Sequence, residues 1–212
     1  MDSKDLHDMP LAETPAAASR LWQDTLCPLL LGALVVALAV ASVRGHGWVP
    51  LVSHVDLGIH EFGHMIAAWM PQVGMALAGS GLQVLAPTAL VAYFWFARHD
   101  LPAATVLVAW LGVSLRNVAV YMADSNVRIL PLIGGQDGHD WAFIFGQWGV
   151  LNRAESIAGV VSAMGWLLFA CALGLAVWAF VQPRLAAHRA QHREAYLDTL
   201  PVREPRNRPP VA

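Results

Sequence analysis

Long apolar runs, joined by short polar or glycine- and proline-bearing segments, fill the middle of this chain. The first run, Leu26 to Val43, is just long enough to cross a bilayer, and Trp22 and Trp48 flank it as interfacial aromatics do. Arg44-Gly45-His46-Gly47-Trp48-Val49-Pro50 breaks it, with His46 read as an interfacial loop residue. A second run, 51–70, ends at Pro71. A third, 72–97, starts with three glycines and a serine within nine residues, a composition that predicts a broken or re-entrant start before a regular span from Leu82 to Ala97. Arg98-His99-Asp100 is a short connection, and 103–123 and 156–181 are the remaining runs, the last ended by Pro183. The pattern predicts an all-α, polytopic transmembrane helix bundle of about five to six spans.

Three regions follow. Residues 1–25 are a flexible polar tail, mixed in charge and without the basic-then-apolar order of a cleavable signal. Residues 26–182 are the membrane domain. Residues 183–212 are a basic, proline-rich tail that reads as a short amphipathic helix and a disordered end, with His188 and His192 accompanying the arginines. Five spans would put the two ends on opposite sides, with the basic C-terminus, Arg44 and Arg98 in the cytoplasm. Gly159, Ala163 and Gly165 in the last run suit close helix packing.

Composition sharpens the class. Of 212 residues, 57% are hydrophobic and 13% charged, against about 25% charged in an average soluble domain. Mean hydropathy is +0.49. The net charge of −2 and a single lysine, Lys4, leave no basic stripe for nucleic acid. Cys27 and Cys171 fall in or beside apolar runs and read as small packing residues rather than a redox pair.

Ionisable groups inside such runs are expensive to hold and mark function. The second run holds His60-Glu61-Phe62-Gly63-His64, and Asp56, His60 and His64 form an i, i+4, i+8 stripe on one helix face. Two neutral imidazoles one turn apart can share one Zn²⁺, and the intervening Glu61 can take a proton from a metal-activated water. A catalytic zinc needs a third protein ligand. The polar loop 125–140 is the natural donor, through Asp137, His139 or Asp140, although Asp140 is also placed to N-cap a helix from Trp141 to Val150. The run 103–123 carries Arg116, Asn117, Tyr121 and then Asp124; Arg116 suits an ion pair with Asp124, four residues twice along, as well as a donor to a developing oxyanion. Gln83 suits helix packing as well as substrate contact.

His60-Glu61-Phe62-Gly63-His64, followed by small Ala67 and Ala68 in an apolar setting, resembles the motif of the site-2 protease family of intramembrane zinc metallopeptidases. The second motif of that family supplies an Asp in an Asn-Pro-Asp-Gly or Leu-Asp-Gly context; here the chain has Gln136-Asp137-Gly138-His139-Asp140, with no Asn-Pro before it. The chain is most similar to the compact bacterial branch that lacks a PDZ insertion. The resemblance implies His60 and His64 as zinc ligands, with one of Asp137, His139 and Asp140 as the third. It also implies Glu61 as general base and acid. Spacing, not resemblance, adds Asp56 as a partner to the His60 ring, and Asn117 or Arg116 as donors to the scissile carbonyl. The expectation is a zinc-dependent endopeptidase of a bacterial plasma membrane, with membrane proteins or peptides as substrates and the lipid bilayer as its setting. Two rivals are a non-catalytic membrane protein that binds metal or a partner, and a proton or ion transporter, which would usually show two related halves.

Overall fold

The computed structural model describes residues 19–133, 135 and 138–198. The fold is an all-α bundle. The first helix, α1, is the helical stretch Ser19–Arg44, which opens with a π-turn at Trp22–Leu26 and ends at Gly45. Helix α2 is Val52–Ile66. Helix α3 is Gln72–Ala92, continued by a π-turn at Tyr93–Ala97. Helix α4 is Leu101–Ala123, α5 is Asp140–Gln147, and α6 is Ala154–Asp198 after a 3₁₀ turn at Leu151–Arg153.

Among the described residues four helices are long and apolar enough to cross a membrane: α1, α3 with its π-turn, α4, and α6. Five or six spans were expected, and the helix that falls short is α2. Its 15 residues reach roughly 22 Å, less than the hydrocarbon thickness of a bilayer. It also starts inside the bundle. Val49, three residues before it, packs in a buried cluster with Val35, Val108, Val113 and Phe169, and the buried Ser53 hydroxyl accepts the Val49 N–H at 2.8 Å. The re-entrant element is therefore the segment from Gly47 through α2, not the glycine-rich start of α3, which is regular helix from Gln72 onward.

The faces of α2 and α3 are sorted in the opposite sense from a soluble protein. The buried side of α2 is Ser53, Asp56, His60 and Gly63, at helical spacing, whereas Val55, Phe62, Met65 and Ile66 are half or more exposed. In α3 the buried side is Ala76, Gly79, Ser80, Gln83 and Pro87. Small and polar groups meet inside and apolar ones face out, the arrangement a lipid solvent favours.

Helix α4 is the centre of the bundle. It carries ten buried residues, among them Thr105, Ala109, Val113, Ser114 and Val118, and packs on α1, α3 and α6. Asp100 caps its start by accepting the Ala103 N–H at 3.0 Å, with Pro102 in the first turn. The α4–α6 contact is close: a Cβ on Gly165 would lie 3.0 Å from the Gly112 carbonyl oxygen.

Helix α6 is longer than the sequence pattern indicates. Pro183 lies within it, and the basic segment beyond continues the same helix to Asp198 instead of forming a separate one. Just past Pro183, Arg184 donates to the Asp24 carbonyl at 2.8 Å and to the Thr25 hydroxyl at 2.9 Å. The start of α1 and this end of the α6 span thus lie at one end of the bundle, which overturns the expectation of ends on opposite sides. Arg44 and Arg98 are likewise at opposite ends: α1 finishes beside the C-terminal end of α4, where a Gly47 Cβ would meet Val120 at 2.7 Å, whereas Arg98 precedes the start of α4.

Candidate metal centre

Two elements supply three donors at the end of the bundle where α1 and α4 finish. Helix α2 brings His60 and His64, one turn apart on its inward side. Helix α5 brings Asp140, its first residue. The Nε2 atoms of His60 and His64 are 3.0 Å apart, and Asp140 Oδ2 lies 3.1 Å from the first and 3.2 Å from the second. Three donors therefore form a near-equilateral triangle. Tetrahedral zinc with bonds of about 2.0–2.1 Å needs donor separations of about 3.3 Å, so the triangle has the size of one face of such a site. Among the described residues these are the ones grouped closely enough to hold a metal ion.

Two further observations fit an ion at this point. His64 Nδ1–H donates to the Met75 carbonyl at 2.9 Å, which leaves its Nε2 lone pair for the cluster. Gly79 of α3 faces the triangle: a Cβ there would stand 2.5 Å from His64 Nε2 and 2.7 Å from His60 Nε2. Gly63 of α2 faces α3 in turn, where a Cβ would lie 2.3 Å from the Ala78 carbonyl oxygen. The two glycines let the α2 and α3 backbones meet, and Gly79 keeps the space beside the imidazoles clear.

A cavity of about 630 Å³ adjoins the cluster. His60, Glu61, His64 and Asp140 line it, together with Gln83, Asn117 and Tyr121, and apolar residues such as Leu57, Met75, Val120 and Phe143 form much of the rest. Glu61 thus reaches the same space as the three donors. Gln83 Nε2 donates to Asn117 Oδ1 at 3.1 Å, which turns the Asn117 NH₂ group away from Gln83 as a donor.

The other sequence candidates are placed as follows. His139 does not join the triangle. It is the N-cap of α5, its Nδ1 accepting the Ala142 N–H at 3.3 Å, a role expected for Asp140; the helix runs to Gln147, not Val150. With Nδ1 an acceptor, the ring proton sits on Nε2, 3.4 Å from Asp124 Oδ2 and too far for an ordinary hydrogen bond. Burial pulls the imidazole below its ordinary range, which keeps it neutral. Asp137 lies outside the described residues.

Asp56 does not partner the His60 ring in the way its spacing suggests. It is fully buried, and its carboxylate accepts the Trp110 indole N–H at 2.7 Å and the Ser114 hydroxyl at 3.0 Å. The Asp56 end of the stripe lies against α4, whereas His60 and His64 face α3. Arg116 points away from the cavity. It bonds to Ser162 and its guanidinium lies 4.8 Å from the centre of the Trp166 ring, both on α6. One helical position separates it from Asn117, and that rotation of about 100° carries it to another face. It does not pair with Asp124, whose carboxylate accepts the Ile129 and Leu130 N–H groups at 3.0 and 3.1 Å and so shapes the loop after α4.

Two site residues escaped the sequence reading of roles. Gly79 looked like a helix breaker. Tyr121 looked like one more polar residue in a span, although its position one turn from Asn117 placed both on one face. Compared with protein-family models, curated proteins and solved structures, the chain matches none.

Proposed function

We propose that this protein is a zinc-dependent intramembrane endopeptidase, a multi-pass protein of a bacterial plasma membrane that hydrolyses peptide bonds of membrane-embedded or membrane-associated substrates. The observation that supports the reading is the triangle of His60, His64 and Asp140 with Glu61 lining the same cavity, set in a bundle whose exterior is apolar. His60, His64 and Asp140 would hold the ion. Zinc, when bound, supplies a Lewis acid that lowers the pKa of water and polarises a carbonyl. Glu61 takes one proton from the attacking water as its oxygen bonds to the scissile carbon. It returns that proton to the amine as the C–N bond breaks. The Asn117 amide, held by Gln83, donates a hydrogen bond to the carbonyl oxygen. The apolar wall of the cavity suits the side chains of an unwound membrane segment, and its polar groups keep the water that hydrolysis consumes.

The test is metal content and turnover of full-length protein in detergent. Wild type should carry one zinc per chain and His60→Ala should carry none; a wild type without stoichiometric zinc overturns the reading. Glu61→Gln should keep the zinc, and the membrane peptides that accumulate in cells making it identify the substrate. Removing a general base should slow cleavage about 10²–10⁴-fold. An unchanged peptide population in those cells would instead favour a metal-binding protein without catalysis.

A further inference from the structure

Asp140 differs from the two histidines in how it is held. His60 and His64 are fixed by one helix and by its contact with α3. Asp140 is the first residue of α5, and the first turn of a helix leaves backbone N–H groups without partners inside the helix. A carboxylate on such a start is ordinarily held less firmly than one in mid-helix.

The Tyr121 hydroxyl changes this. It accepts the Asp140 backbone N–H at 3.0 Å and donates to Asp140 Oδ2 at 3.2 Å. Oδ2 is the same oxygen that lies 3.1 and 3.2 Å from the two imidazoles. One atom therefore fixes both the backbone and the side chain of the third donor. The Tyr121 ring is itself fixed, stacked on His139 with centroids 4.4 Å apart and planes 21° from parallel. His139 caps the helix that Asp140 begins. Tyr121 belongs to α4, the most buried helix of the bundle.

We infer that Tyr121 is the positioning residue of the centre: its hydroxyl sets Asp140 against His60 and His64 by reference to α4, so that ion affinity depends on a group that does not touch the ion. The inference rests on reading His60, His64 and Asp140 as the metal site. Groups that orient a ligand typically change affinity about 10–100-fold when removed.

Tyr121→Phe deletes the hydroxyl and keeps the ring on His139. Full-length, metal-free protein in detergent is titrated with zinc against a chelator of known affinity. Co²⁺ substituted for zinc reports coordination through its visible absorption. Tyr121→Phe should weaken zinc about 10–100-fold and lower the intensity of the Co²⁺ band as four-coordination loosens. The same substitution in an Asp140→Ala background should change zinc affinity no further, because Tyr121 acts through Asp140; additive losses would overturn the inference. A Tyr121→Phe protein that binds zinc as wild type does overturns it as well, while leaving the metal centre standing. A wild type that binds no zinc removes the centre and this inference together. Hydrogen exchange of the Asp140 amide in metal-free wild type needs no substitution: protection is expected, and exchange at the rate of an open loop would overturn the inference.

Discussion

Gly79→Ala puts the geometry of the proposed metal centre to its hardest use. The new methyl would stand 2.5 Å from His64 Nε2, 2.6 Å from His64 Cε1 and 2.7 Å from His60 Nε2. Unstrained contact between such atoms lies at about 3.5 Å, so the overlap is about 1 Å against two rings at once. Neither side yields easily. The His64 ring is tied to the Met75 carbonyl on the same helix as the new methyl. Withdrawal of α3 would open the contact between Gly63 and the Ala78 carbonyl. Overpacking of this kind costs about 1–3 kcal/mol. The strain falls on the donor atoms, so most of it should appear as lost zinc affinity, about tenfold per 1.4 kcal/mol. Gly81→Ala is the control on the same helix. No atom lies within 4 Å of its would-be Cβ, and replacing glycine inside a helix by alanine should stabilise by about 0.5–1 kcal/mol. The assay is zinc bound per chain after dialysis against graded chelator, with thermal unfolding and helix content recorded in parallel. Gly79→Ala should retain helix content and lose zinc; Gly81→Ala should keep zinc and unfold slightly higher. Wild-type zinc affinity in Gly79→Ala would refute the argument that this glycine exists to clear the centre.

Substitutions at two other positions separate the bundle's framework from its chemistry. Asp56→Ala should destabilise by about 1–3 kcal/mol, because Trp110 and Ser114 lose a buried acceptor, while Asp56→Asn, which keeps an acceptor oxygen, should cost less; denaturant unfolding in detergent decides, and equal stability of Asp56→Ala and wild type would be the contrary result. Arg116→Met should keep zinc and cleave within about twofold of wild type, since its contacts are to Ser162 and Trp166 on α6 and an apolar replacement of a partly buried charge is often neutral; a large loss of turnover with the fold intact would bring it back into the proposed site.

The site was legible where its logic is local. The four-residue spacing of His60 and His64 fixes their common face, and a polar loop of Gly, Asp and His marked the region that delivers Asp140. What stayed hidden depends on neighbours. A glycine needed for close approach and one that breaks a helix look alike until the facing helix is known, which is why the start of α3 read as irregular. His139 and Asp140 are adjacent, and a shift of one residue in where α5 begins exchanges the cap and the donor. Arg116 and Asn117 are adjacent on a helix surrounded by others, so rarity in a membrane run marked both without saying which faced the cavity. For the fold, apolar run length identified the helices, but run 51–70 passes for a span by composition; only the burial of Val49 shows that its helix begins inside.

The Arg184 contacts with Asp24 and Thr25 have a consequence for anyone who handles this protein. The contact fastens the first helix to the last at the end of the bundle away from the cavity, since the cavity is walled by Gly45, His46 and Trp48 at the far end of α1. A reporter placed next to Ser19 and one placed on the Arg184 turn would lie at the same end of the bundle, opposite the end where Gly45, His46 and Trp48 wall the cavity. A bulky fusion at either place would stand at the end of the bundle away from the residues that wall the cavity.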